Sequence, residues 1–144
     1  MDQPSYYQQG MDQTKQYEGF RSTPYTDTTG NPTIGYGFNM NANPGLPQQM
    51  DQQTADQYFQ QYYKKASQTA QQFAGDNWGD LTDSQKAVLT DMAYNLHDKL
   101  FKFQHMQKAL QNGDDTGVER EMKHSDWYGQ VKSRAKQDIS NWSK

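Results

Sequence analysis

Four of the five prolines in this 144-residue chain fall between Thr23 and Gln49, together with Gly30, Gly35, Gly37 and Gly45. Proline lacks a backbone donor and fixes φ, so no helix runs through such a stretch. From Thr23 to Phe38 the texture is Pro, Gly, Thr and aromatic, and Thr28-Thr29-Gly30-Asn31-Pro32 supplies turn chemistry between two short extended runs. That pattern predicts a small β-hairpin or three-strand sheet. Asn39 to Gln49, with Asn41, Asn43, Pro44, Gly45 and Pro47, reads as a loop.

Helical patterns flank this insert. Residues 1–17 read as a weak amphipathic helix that buries Met11 and Tyr17, with Gly10 counting against it. Thr54, with Gln57 in the capping-box position, is expected to open a long helix carrying Ala55, Tyr58, Phe59, Tyr62, Ala66, Ala70 and Phe73 on one face. A second box, Thr82 with Gln85, starts a helix whose Val88, Leu89, Met92, Ala93 and Leu96 read as buried nearly all round, the centre of a helical lobe. Shorter helices follow around Gln104 to Asn112, stopped by Gly113, around Thr116 to His124, and from about Val131 to Trp142. The fold class is therefore α+β, a single domain over 1–144 in three parts. These are a small β-hairpin or sheet lobe (about 11–53), a connecting helix (about 54–74) and a mostly helical C-terminal lobe (about 75–144), with the N-terminal helix packing near the latter.

Composition narrows the function. Without cysteine there is neither a disulfide framework nor a thiolate metal site. His97, His105 and His124 lack metal-type spacing, so no metal or other cofactor is expected. The net charge is −3, and the cationic part is the C-terminal one: residues 99–144 carry 9 basic and 6 acidic side chains. An excess of three is well screened at physiological salt; it helps hold an anionic polymer but gives little support to nucleic-acid binding. The N-terminus lacks the basic stretch and apolar run of a secretory signal, and no segment has the roughly 20 apolar residues of a membrane span. A monomer is the favoured state.

Chemistry points first to Glu18. The chain holds three Glu against 21 Gln, and Glu18 is the only Glu before residue 119. Isolation alone leaves a solvated charge or a helix-end partner open as readings. Spacing adds to it: Glu18 closes the first helix, Asp27 ends the first extended run and Thr33 sits on the next, so a hairpin folded against the helix end brings two carboxylates and a hydroxyl to one cleft. Glycosidic cleavage needs such a set, a protonated acid at the leaving oxygen and a second group that holds or deprotonates water on the opposite face.

Tyr17-Glu18-Gly19-Phe20-Arg21, Tyr25-Thr26-Asp27-Thr28-Thr29-Gly30 and Pro32-Thr33-Ile34-Gly35-Tyr36-Gly37 resemble the T-even phage type of lysozyme. Leu81-Thr82-Asp83-Ser84-Gln85, Ala93-Tyr94-Asn95-Leu96 and the run from Trp127 to Lys136 resemble later segments of that family in the same order. The resemblance covers roughly residues 10–142 and implies a lysozyme-like fold and a muramidase acting on bacterial peptidoglycan, with no cofactor. It implies Glu18 as general acid, Asp27 as the carboxylate that assists water or the developing positive charge, and Thr33 as a water-positioning hydroxyl. Arg134 is implied as ion-pair partner of the acid and Asn95 as a cleft-facing amide, with Tyr36 or Phe38 as an apolar wall for which ordinary packing is an equal reading. A Thr beside the carboxylate pair favours inversion, with the carboxyls roughly 6.5–9.5 Å apart.

Two positions depart from the family. Phe38 stands where a His often follows the Thr33-Ile34-Gly35-Tyr36-Gly37 run, and His97 stands where a Gly often follows the Asn95 region. Such a Gly usually supplies a positive φ, so His97 predicts backbone strain and a reshaped loop from His97 to Phe103. Two other functions remain open: a lytic transglycosylase, which needs one Glu and no Asp27, and a non-catalytic wall-binding or virion-structural module. The expected location is the infected bacterial cytoplasm before release to the wall, or the virion.

Overall fold

The computed structural model describes residues 3–144. The chain divides into two compact units, Asp12–Tyr62 and the residues up to Met11 joined with Tyr63–Lys144. Both boundaries fall inside helices, α1 (Tyr7–Glu18) and α2 (Gln52–Ala74). A short sheet and an otherwise helical chain make the α+β class expected of the sequence.

In the unit Asp12–Tyr62, strands β1 (Arg21–Thr26), β2 (Pro32–Gly35) and β3 (Phe38–Asn39) form an antiparallel sheet in the order β1-β2-β3. Thr33 lies opposite Tyr25 on one side and Asn39 on the other. Register slips between Arg21 and Tyr25, where Pro24 sits. On an edge strand at an irregularity, the missing N–H of a proline breaks no ladder bond. Tyr36 and Phe38 hold the sheet to α2: the Tyr36 ring meets Phe59 at 5.5 Å, and Phe38 meets Tyr62 at 4.9 Å and Tyr58 at 6.2 Å. Each such pair contributes about 0.5–1.5 kcal/mol beyond the area it buries. Helix α2 begins ahead of the expected Thr54, because the Asp51 carboxylate accepts from Thr54 N at 2.7 Å and takes the capping role itself. Aspartate caps at least as well as threonine, and its charge suits the positive end of the helix.

In the other unit, α3 (Asp83–Leu96) starts with the expected capping box, Thr82 and Gln85 bonding reciprocally at 3.1 Å. All residues from Ala87 to Tyr94 are buried. Gly10, which counts against a helix in the sequence, is required by packing: a Cβ there would collide with the Tyr63 hydroxyl. Helices α4 (Gln104–Gln111) and α5 (Asp115–Lys123) follow, the latter capped by Asp114. The single helix expected from Val131 to Trp142 is instead two, α6 (Asp126–Val131) and α7 (Ser133–Trp142), broken at Lys132 with φ 38°. Among the described residues no helix is long and apolar enough to cross a membrane.

A charged cluster lies between α3 and α7. Arg134 donates from Nε and Nη2 to the two oxygens of Asp91 at 2.9 and 2.8 Å, and both residues are buried. Asp138 stands beside them, 1% exposed, and neither of its oxygens finds a donor. Burial first, and then the negative charge of Asp91, push the Asp138 carboxyl well above its usual range. Protonated, it donates to Asp91, which resolves the missing bond. A carboxyl raised in the fold contributes stability at low pH that is lost as pH rises above the unfolded value near 3.8. Asp138→Asn should therefore melt higher than the parent at pH 7, and the gap should close as the melts are repeated toward pH 4.

His97 has the expected positive φ, 54°, at the end of α3, and the residues from His97 to Lys102 wind into a 3-10 turn. Glycine removes the side-chain cost of that conformation, so His97→Gly should raise stability by about 1 kcal/mol, a rise of about 3 °C in thermal melts.

Candidate active site

Glu18 is the last residue of α1. Gly19 takes the left-handed position that ends the helix, at φ 71°, and its N–H reaches Lys15 O at 2.8 Å. The half-buried Glu18 side chain lies against Gly37, in the turn between β2 and β3: a Cβ at Gly37 would collide with Glu18 Oε1. Gly37 also has φ 76°, so this turn needs glycine twice over, for conformation and for room.

Asp27 follows β1 and organises the hairpin turn. Its Oδ1 accepts three hydrogen bonds, from Thr29 N at 2.9 Å, Thr29 Oγ1 at 2.9 Å and Asn31 N at 2.8 Å. Partial burial opposes the Asp27 charge, but the hydrogen bonds from Asn31 and Thr29 outweigh it and hold the carboxyl below its usual value. Thr33 is 2% exposed, and its hydroxyl donates to Asn31 O at 2.9 Å. Asp27 and Thr33 are thus tied to the same residue.

Tyr25 links the second carboxylate to the first. It pairs with Thr33 across the ladder, and the Arg21 guanidinium lies 4.5 Å from its ring centre. Burial, and after it the negative charge of Glu18, push the Tyr25 phenol up, with a smaller push from Asp27. Both carboxylates therefore act on this one ring. The three residues expected from their spacing share a unit with it.

The remaining candidates have identifiable neighbours. Tyr36 and Phe38 are 4% and 3% exposed within the aromatic cluster, and the Tyr36 hydroxyl accepts from Gln52 Nε2 at 3.1 Å. Asn95, on α3, accepts from Trp127 Nε1 at 2.9 Å. Arg134 is forked to Asp91 in the helical unit. Among the described residues no group of three His, Cys, Asp or Glu is arranged to hold a metal ion. The sequence reading missed Gly37, Thr29 and Asn31; it took the last two as turn formers only.

The profile of the phage lysozyme family matches residues 15–137. The chain belongs to that family. A comparison with curated proteins gives no match. Membership implies a glycoside hydrolase that degrades peptidoglycan. Glycoside hydrolysis generally uses a pair of carboxyl groups, and Glu18 and Asp27 lie in the same unit of this phage lysozyme.

The close approach of Glu18 to Gly37 gives a direct test. Gly37→Ala should cost about 1 kcal/mol in thermal melts through its positive φ. By displacing the Glu18 carboxylate it should also lower peptidoglycan cleavage more than about tenfold, a far larger loss than the stability change produces.

Proposed function

We propose that this phage lysozyme is a muramidase that hydrolyses the β-1,4 bond between N-acetylmuramic acid and N-acetylglucosamine, with inversion at the anomeric carbon. Glu18 gives its proton to the leaving glycosidic oxygen as the bond to C1 breaks. Water attacks C1 from the opposite face, held by the Thr33 hydroxyl, and passes a proton to Asp27 while Asp27 stabilises the developing positive charge. The biological setting is phage-mediated wall lysis or entry.

The observation that carries this reading is the second carboxylate. Asp27 is held ionised by three donors on one oxygen and linked through Asn31 to the Thr33 hydroxyl. A lytic transglycosylase forms its anhydro ring without water and has no use for that arrangement, and a wall-binding module has no use for the acid.

The test is to digest purified peptidoglycan and identify the new chain ends by mass spectrometry, with NMR of the first-formed anomer. Hydrated reducing ends in the α configuration are expected, and Glu18→Gln should lose at least about a hundredfold in rate. Anhydro ends would make the protein a transglycosylase; first-formed β-anomers would make it a retaining enzyme.

A further inference from the structure

An exposed aspartate ordinarily swings about χ2, which is broad and roughly two-fold, and so exchanges its two oxygens. Asp27 does not have that freedom. All three of its hydrogen bonds fall on Oδ1, two from backbone N–H groups and one from the Thr29 hydroxyl. The Asn31 side chain also favours the charged form of this carboxyl. The Thr29 hydroxyl is itself aimed, because Asn31 Nδ2 donates to Thr29 Oγ1 at 2.9 Å and so occupies one of its lone pairs. A two-step relay runs from the Asn31 amide through the Thr29 hydroxyl to Asp27 Oδ1.

Asn31 also acts through its carbonyl. That oxygen accepts from Asp27 N at 2.9 Å and from Thr33 Oγ1 at 2.9 Å. With its proton committed to Asn31 O, the Thr33 hydroxyl offers only lone pairs to a water, so it accepts one water proton and leaves the water oxygen free to attack. The same residue thereby fixes the direction of both groups assigned to the water.

We propose that Thr29 and Asn31 are positioning residues for the hydrolytic step: their side chains lock Asp27 so that Oδ2 alone meets the attacking water, and the Asn31 carbonyl turns Thr33 to accept from that water. The inference rests on the muramidase reading and adds two residues to it. Both work through Asp27 and Thr33.

Thr29→Val tests this with little change of shape, because the backbone N–H groups of Thr29 and Asn31 still bind Oδ1 and keep the turn. Losing one charge-assisted donor should lower kcat about tenfold with KM within about twofold. The acidic limb of the pH profile should move up by about half a unit, since Asp27 then protonates more easily. Thr29→Ser restores the hydroxyl and should recover both, and Asn31→Ala should show a smaller loss of about threefold, because the hydroxyl remains but is no longer aimed. NMR titration of the Asp27 carboxyl in parent and Thr29→Val follows the same half-unit rise without substrate. Unmoved titration and an unchanged pH profile, in a Thr29→Val protein that cuts peptidoglycan like the parent, would overturn the positioning role and leave the muramidase standing. A folded parent that leaves peptidoglycan uncut would instead bring down the muramidase reading, and the role in hydrolysis with it, even if the titration moves.

Discussion

The packing of Tyr36 and Phe38 onto Tyr58, Phe59 and Tyr62 is the constraint on which the site in the unit Asp12–Tyr62 depends. A sheet with strands of six, four and two residues buries too little to stand alone. Aliphatic side chains are scarce in this chain, and rings take their place. Gly37 lies between the two anchoring rings in sequence, so their packing fixes the turn that receives the Glu18 carboxylate. Phe38 also pairs in register with Ile34, next to Thr33. The departure from the family at Phe38 thus falls on the contact that holds the sheet to its helix.

What was legible in the sequence was local or periodic. The Thr82 and Gln85 box needs only four residues to form, and it formed as read. The start of α2 was misplaced because Asp51 and Thr54 are both competent caps; pattern alone does not say which carbonyl begins the ladder. Strain at His97 was readable because a glycine was expected there. Lys132 takes a similar φ with no such signal, and the helix around it was read as one instead of two. At the site, spacing located Glu18, Asp27 and Thr33 on their elements. It could not locate the Asn31 to Thr29 to Asp27 relay, which depends on side-chain torsions that no periodicity encodes.

The two units treat a carboxyl in opposite ways. Asp138 is buried without donors and is kept neutral, sharing its proton with an Asp91 already committed to Arg134. Removing one member of such a cluster leaves an unpaired buried group, so its value is conditional on all three being present. Asp27 sits near the surface, and its charge survives because three N–H and O–H dipoles point at one oxygen.

That difference bears on what Asp27 contributes to the proposed hydrolysis. Three donors make a carboxylate a weaker base, which looks like a defect in a residue meant to take a proton from water. In a transition state with oxocarbenium character, however, C1 already carries positive charge, and water becomes acidic only as it bonds there. A fixed negative charge beside C1 lowers the barrier throughout that process, whereas basicity matters only at its end. Donors that are already oriented require no reorganisation when charge develops, so rigidity in the Asp27 turn adds to the stabilisation that is lost in proton affinity. On this argument the turn from Asp27 to Thr33 is built to favour a steady charge and an aimed water over a strong base.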